Sequence, residues 1–564
     1  MAALQYRTAC PDWERRIIAG ESIIPVRPLF PEVAESALQV MRNLQLVDVT
    51  GMPKVGEICR PWIMDFAAAL FGSYDPQTGK RLINEYFMLI AKKNGKSTLA
   101  SAIMLTALIL NWRASAEFLI LAPTKEAADN AFRPAEDMVR ASEELSTLMK
   151  VQSHPRIIEH GTTGATLKVI AADGQTVVGK KAGGILVDEL WEFGKKKQGE
   201  TLLMEATGGM ASRPEGFVIY LSTQSSEPPA GVFRSKLNLA RKIRDGVVEN
   251  QSFLPVIYEF PRRLIEAEKH HDPAFWHIAN PNLGASVAED FLRSQYQQKK
   301  EAGPGVLTAW MAKHLNVEVG LAQYDQAWSG ARYWQKQGVI DLTLPVLLER
   351  ASLIVIGIDG GGNDDFLSMA VLGRDKLTDR WLHWQKSWVS REVLELRKED
   401  APRYVDFEMD GDLVLVDDRR DDIKGLCDVT MEIFQSGKLA LVGLDPNGVA
   451  DIVFELEKGG IPHAMIRGVA QSYANLNGAT KSLERKLADG SLIHGARPIM
   501  AWAVGNAKAE LRGNNVVISK QMAGGKKIDP LMALIDAAAC MADHPELSSG
   551  GSMQDFLSTG IIAA

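Results

Sequence analysis

Between residues 51 and 225, short apolar runs alternate with stretches of helical period. The runs are FMLIAK, EFLILAPT, GGILVDE and GFVIYLSTQ, and the helical stretches include KSTLASAIMLTALILNW and TKEAADNAFRPAEDMVRAS. Unbroken apolar strands separated by helices predict a parallel sheet covered on both faces. Ahead of it, residues 1–50 read as an N-terminal leader with a helical pattern around Glu32–Gln45. The core is expected at 51–230. Past it the pattern changes: HDPAFWHIANPNLG and AEDFLRSQYQQKKEAGP are charged and helical in period, without long apolar strands. A lid or linking subdomain is expected at 231–335.

A second alternation starts near residue 350. LIVIGIDGGGNDDFLSMAVLG reads as strand, glycine turn and strand, and RWLHWQKSWVS as a third strand. Three successive strands predict an antiparallel meander. Helix IKGLCDVTMEIFQSG, strand LALVGLD, helix VADIVFELEKGG and a last helix beginning at IDPLMALIDAAACMADH complete a domain at 350–545. Polar, proline-bearing residues around 330–350 are expected to link the halves, and the small polar tail 546–564 to be flexible. The fold class is therefore α/β in two large domains.

Composition narrows the class without choosing the chemistry. A chain of 564 residues, 46% hydrophobic and 24% charged, is of ordinary globular make-up. No apolar run reaches the ~18 residues of a membrane span, and the opening MAALQYRTACPDWERR holds no apolar signal core. Cys10, Cys59, Cys427 and Cys540 are scattered, which argues against a zinc site or disulfide framework and fits a reducing cytoplasm. A formal charge of -7 speaks against a nucleic-acid coat but leaves room for a local basic channel.

The segment FMLIAKKNGKSTLA, Phe87–Ala100, has the strand–loop–helix order of a phosphate-binding loop. Backbone N–H groups and a helix N-terminus there cradle phosphates. Lys96 would reach the β/γ-phosphates and Ser97 would hold Mg²⁺. Lys93, Asn94, Gly95 and Thr98 complete the loop. The full pattern has glycine where this chain has Ile90. Lys92 and Lys93 add two cations, and one of them could neutralise charge developing on a transferred γ-phosphoryl; the alternative is solvated lysine.

GGILVDELWEF delivers Asp188 and Glu189 from an apolar strand. Asp188 is assigned to the metal and Glu189 to the base that activates water; the alternative is a helix cap followed by a solvated acid. The strand ending Ser222-Thr223-Gln224 could set polar groups, Thr223 among them, beside the γ-phosphate, or could be an edge turn. Pro123-Thr124-Lys125 could touch DNA phosphates or cap the next helix. In the second domain Asp359 and Asp445 each end an apolar strand and Asp529 opens the last helix. Acids gathered this way call for a cation. Two Mg²⁺ or Mn²⁺ ions would clamp a phosphodiester for in-line hydrolysis. Asp364, Asp365 and Asp536 are rival ligands. Lys520, Lys526 and Lys527 are cations that could meet DNA phosphates.

Taken together, AKKNGKS, ILVDE, LSTQ, the ANPNLG stretch (Ala279–Gly284) and the three acids resemble the large subunit of tailed-phage terminases. The resemblance spans roughly residues 50–545. It implies an N-terminal P-loop ATPase of the ASCE type with a parallel sheet and helical lid. It also implies a C-terminal RNase H-like nuclease with a mixed sheet. ATP with Mg²⁺ would drive double-stranded DNA into a procapsid, and Mg²⁺ or Mn²⁺ would serve cutting of concatemeric DNA. The implied partners are the small terminase subunit, the portal protein and further copies of the chain in a ring. The implied place is the host cytoplasm, with transient docking on the portal and no membrane. Lys92 matches the family's basic loop position. A glutamine often follows Pro-Trp in the family and reads adenine, whereas Ile63 follows Pro61-Trp62 here. Arg213, between ILVDE and LSTQ, is the candidate for the arginine supplied by a neighbour in the ring. Two other readings compete: a P-loop helicase or remodelling ATPase with a non-catalytic C-terminal half, and an assembly scaffold with a vestigial loop. The acids of the second domain speak against the first, and intact Lys96, Ser97, Asp188 and Glu189 against the second.

Overall fold

The computed structural model describes residues 4–171, 181–319, 327–361, 364–446, 449–512, 515–518 and 526–547. Lys520 and the tail from 548 lie outside the described residues. The chain divides into two compact units, Met1–Val319 and Gly320–Ala564.

The first unit is built on strands β1 (Glu85–Leu89), β2 (Glu117–Ala122), β3 (Met149–Gln152), β4 (Ile157–His160), β5 (Thr166–Ala171), β6 (Ala182–Val187), β7 (Phe217–Ser222) and β8 (Phe253–Ile257). Their order across the sheet is β8-β1-β7-β6-β2-β5-β4-β3. Pairing is parallel from β8 to β5 and antiparallel in the β5-β4-β3 edge. The four runs read from the sequence are the centre of this sheet, and they are buried because helices cover both faces. The loop strand β1 and the acid-bearing strand β6 are separated by β7, as in ASCE ATPases.

β8 leaves only a weak trace in the sequence. FLPVI is a short apolar run inside a charged region, and its Pro255 disfavours a central strand. It sits at the sheet edge, where a missing N–H leaves no ladder partner unsatisfied. Helix α1 (Lys96–Ile109) follows β1 directly. The leader packs as structure of its own: helix Pro31–Asn43 lies against helix Pro61–Phe71 and α1.

The second unit holds β9 (Ala351–Asp359), β10 (Leu367–Asp375) and β11 (Trp381–Ser390) as the expected antiparallel meander. It continues with β12 (Leu413–Val416), β13 (Leu439–Leu444), β14 (Ile466–Gly468) and β15 (Leu492–His494). The order is β12-β11-β10-β9-β13-β14, with β13 parallel to β9 and β15 paired to the other end of β11. The last helix, α2 (Asp529–Ala542), lies across β9, β10 and β13 and is buried along nearly its whole length. This is the RNase H-like mixed sheet. The stretch around 330–350 packs into this unit: Trp328 and Trp334 are fully buried, and His494 stacks on Trp334 at 3.9 Å between ring centroids.

The four cysteines are free thiols. Among the described residues no helix is long and apolar enough to cross a membrane.

Candidate functional sites

The loop between β1 and α1 needs two left-handed residues, Lys93 (φ 72°) and Gly95 (φ 75°). The turn brings Lys96 to the first position of α1, where its side chain is almost entirely buried. Its Nζ lies 3.3 Å from Asp188 Oδ1 and makes a close ion pair with Glu189 Oε1. Ser97 Oγ donates to Asp188 Oδ2 at 3.3 Å. Burial alone would lower the Lys96 pKa, but Asp188 and Glu189 outweigh it and hold the ammonium charged. Burial pushes Glu189 up, and Lys96, Trp191 and Lys92 pull it below the usual carboxylate range.

Glu189 does occupy a helix cap position, with a left-handed backbone (φ 53°). It is no solvated acid, because Trp191 Nε1 donates to its Oε2 at 2.6 Å and Lys96 holds the other oxygen. Ser97 and Asp188 present hydroxyl and carboxylate oxygens side by side, the donor chemistry a hard divalent cation takes.

A cavity of 750 Å³ opens above the loop. Lys92, Lys93, Gly95, Lys96, Ser97, Thr98 and Glu189 form its polar end. Its apolar end is made by Met41, Leu46, Val49, Val55, Ile58 and Ile63. The leader is thus a wall of the pocket. Ile63, which follows Pro61-Trp62 where the family often has glutamine, contributes only apolar surface.

ANPNLG proves to be the clasp on the loop. Asn94 Nδ2 donates to Asn280 Oδ1 at 2.8 Å. The Asn282 backbone N–H donates to Asn94 Oδ1 at 3.0 Å, and its Nδ2 to Asn94 O at 2.9 Å. Trp62 Nε1 closes the set on Asn282 Oδ1 at 2.8 Å. Asn94 therefore orders the loop from within, and its side chain is wholly committed to protein partners. The sequence signal was present as two asparagines around a proline, but nothing local says what they grip.

Ser222 Oγ accepts from the Trp191 backbone N–H at 3.1 Å, which ties the end of β7 to the acid segment. Thr223 is fully buried, its Oγ1 has no hydrogen-bond partner among the described residues, and it does not line the cavity. Thr124 caps helix Lys125–Arg140 by accepting from the Ala127 N–H at 3.1 Å. Arg213 lies before β7, donates to Ser212 O at 3.2 Å and does not line the cavity.

In the second unit, Ile358 on β9 is in register with Leu444 on β13, so Asp359 and Asp445 follow at adjacent strand ends. Gly360 (φ 98°) turns the chain beside α2, and a Cβ built there would lie 3.5 Å from Asp529 Oδ1. Asp529 is fully buried and Asp359 nearly so, while Asp445 is half-buried. Among the described residues no three His, Cys, Asp or Glu side chains close into a metal-holding group. The three acids are brought to one end of the sheet without forming a ready-made ligand set. Asp364 pairs with Arg397 at 2.7 Å, Asp365 is closely paired with Lys527, and Asp536 accepts from Gln471 Nε2 at 3.1 Å. Lys527, expected to face DNA phosphates, is instead buried against Asp364 and Asp365.

Two family models match the chain: terminase large subunit, ATPase domain, over residues 61–227, and terminase large subunit, endonuclease domain, over 248–545. Protein YmfN of Escherichia coli (strain K12) is 24% identical over 363 residues, 62% of this chain and 76% of that protein. The terminase large subunit of Lactococcus phage p2 is 23% identical over 471 residues, 80% of this chain and 81% of that one. The crystal structure of the HK97 bacteriophage large terminase superposes with a TM-score of 0.45 at 19% identity, covering 90% of this chain and 99% of that chain. The endonuclease match leaves no support for a helicase with an idle C-terminal half. An ATPase domain and an endonuclease domain imply the use of a nucleotide and of divalent metal. With both models matched in order and the endonuclease model alone spanning more than half of its length, the chain belongs to the terminase large subunit family.

Proposed function

We propose that this chain is the motor that packages double-stranded viral DNA into a procapsid by hydrolysing ATP, and that it cuts concatemeric DNA with its second unit. The observation that carries the reading is Lys96 held between Asp188 and Glu189 at the polar end of a 750 Å³ cavity. The β- and γ-phosphates of ATP would lie on Lys96 and the loop N–H groups, with the base against the apolar leader wall. Ser97 and Asp188 would hold Mg²⁺, which when bound neutralises charge on the phosphates. Glu189 accepts a proton from the attacking water, its carboxylate kept ionised by Lys96 and Trp191. Ser222, Thr223 and Gln224 form the segment that would sense the γ-phosphate, through Trp191 and Glu189 rather than by lining the cavity.

For cutting, Asp359, Asp445 and Asp529 would hold Mg²⁺ or Mn²⁺, which when bound activates water and stabilises the leaving oxygen. Their placement at the ends of β9, β13 and α2 supports this assignment. The partners we infer are double-stranded DNA, the small terminase subunit, the procapsid portal and further copies of this chain in a ring. The place we infer is the host cytoplasm, with transient docking on the portal. Arg213 remains the candidate for an arginine acting on a neighbour's nucleotide.

The test uses the full chain with DNA and divalent metal. Lys96→Ala should abolish ATP turnover. Glu189→Gln should bind nucleotide yet lower kcat by at least about 10²-fold, since only the base is lost. Asp445→Ala should stop plasmid cutting and spare ATPase activity. Wild-type turnover in both ATPase variants would overturn the motor reading, and metal-dependent cutting by Asp445→Ala would overturn the nuclease site.

A further inference from the structure

We propose that Lys313 is a positioning residue that ties the catalytic carboxylate Glu189 to the coupling segment Ser222–Gln224; this rests on the ATPase reading of the first site. Helix Pro304–Leu315 ends against the phosphate-binding loop. The Lys313 carbonyl accepts the Lys92 N–H at 2.8 Å, and the His314 carbonyl accepts Asn280 Nδ2 at 2.8 Å. From that anchorage the Lys313 side chain reaches the coupling segment. Its Nζ donates to Gln224 O at 2.9 Å and lies 3.1 Å from the centroid of the Trp191 ring. Trp191 in turn holds Glu189 Oε2 through its indole N–H and Ser222 Oγ through its backbone N–H.

An ammonium over an indole, out of most water, is a strong and directional contact. Lys313 Nζ is the nearer of two ammonium groups on the ring that holds Glu189, Lys195 Nζ lying 4.7 Å from the same centroid. Without it the ring is held more loosely, and Lys96 draws the carboxylate further toward itself, away from a position facing water. Lys313 does not line the cavity, so its loss should be felt in turnover rather than in nucleotide binding.

The surroundings make the contact pH-sensitive. Burial, helped by Lys92 and Lys195 and opposed by Glu189 and Glu192, lowers Lys313 to about 7. His314 on the same helix is held to about 4 by burial and by Lys92 and Lys93. Beyond Gln224, Arg241 and Glu318 pair at 2.8 Å. Lys313 therefore loses its charge as pH rises through about 7, whereas Glu189 titrates below the usual carboxylate range and Lys96 above the usual lysine range.

The experiment measures ATPase kinetics of the full chain between about pH 6 and pH 9 for wild type, Lys313→Met, Lys313→Arg and Lys96→Ala, with thermal unfolding of each. Lys313→Met should lower kcat about tenfold with KM within about twofold. Lys313→Arg should restore most of kcat and remove the fall in kcat/KM near pH 7, because a guanidinium keeps its charge there. The titration of ATP itself is common to both proteins and cancels in the comparison. A folded Lys313→Met variant with wild-type kcat, or a Lys313→Arg variant that keeps the fall near pH 7, overturns the proposal. Should Lys313→Met fail to fold, the Lys313→Arg profile still decides. Wild-type turnover by Lys96→Ala would instead overturn the ATPase reading itself.

Discussion

Lys92 and Lys93 stand side by side in sequence and both line the cavity, yet their settings differ. Lys92 is half-buried and its N–H is fixed on Lys313 O, and its charge reaches Glu189, Lys313 and His314. Lys93 is exposed in a left-handed turn, with its carbonyl taken by Ser286 Oγ at 2.8 Å. A charge near Glu189 acts on the reacting end of the nucleotide, while an exposed one is screened by water. Lys92→Ala should lower kcat about tenfold or more with a smaller change in KM, and Lys93→Ala should leave kcat within about threefold. Steady-state kinetics of the two variants checks this, and equal small effects would return both to solvated lysines.

Close backbone contact makes α2 and β9 one element in mechanical terms. A Cβ at Gly357 would lie 2.0 Å from Ala533 O and 2.4 Å from Ala537 N. Gly443 on β13 is similarly tight, with Cys540 Sγ 2.5 Å from the Cβ position. The backbone of α2 cannot yield to a methyl group without moving as a body. Gly357→Ala should therefore destabilise the second unit by about 1–3 kcal/mol and shift Asp529 away from the ends of β9 and β13. Denaturant unfolding measures the first effect and metal-dependent plasmid cutting the second. Cutting at the wild-type rate would show that Asp529 does not depend on this packing.

For the whole molecule, three buried histidines and the half-buried His314 set an acid limit. Burial lowers His270 and His314 in the first unit to about 4, and in the second unit His383 to about 3 and His494 to about 4. Unfolded, each would bind a proton near pH 6.5. Between those values the unfolded chain holds more protons than the native one, so stability falls as pH falls. Each histidine contributes up to about 1.4 kcal/mol per pH unit in that window. Urea unfolding should therefore show a lower midpoint near pH 5 than near pH 7.5, in both units. A midpoint that does not change would mean that these rings are not buried neutral.

The central strands, the two long helices flanking the sites and the residue types at Lys96, Ser97, Asp188, Glu189, Asp359, Asp445 and Asp529 were legible because each is a local pattern. An unbroken apolar run, a glycine turn and a polar residue at a strand end all lie within a few residues of one another. Contacts distant in sequence left no such trace. The clasp of Asn280 and Asn282 on Asn94 and the reach of Lys313 to Gln224 join segments about 90 to 190 residues apart, and the leader residues reach the cavity from well before the loop. Lys527 shows the same limit: its charge is plain in sequence, while its burial under Asp364 and Asp365 follows only from how α2 enters the fold. Sequence by itself determined which chemical groups this chain owns and on which elements they ride. Tertiary packing decided which of those groups meet, because side-chain partnership depends on sheet order and burial, and neither is written in the spacing of residues along the chain.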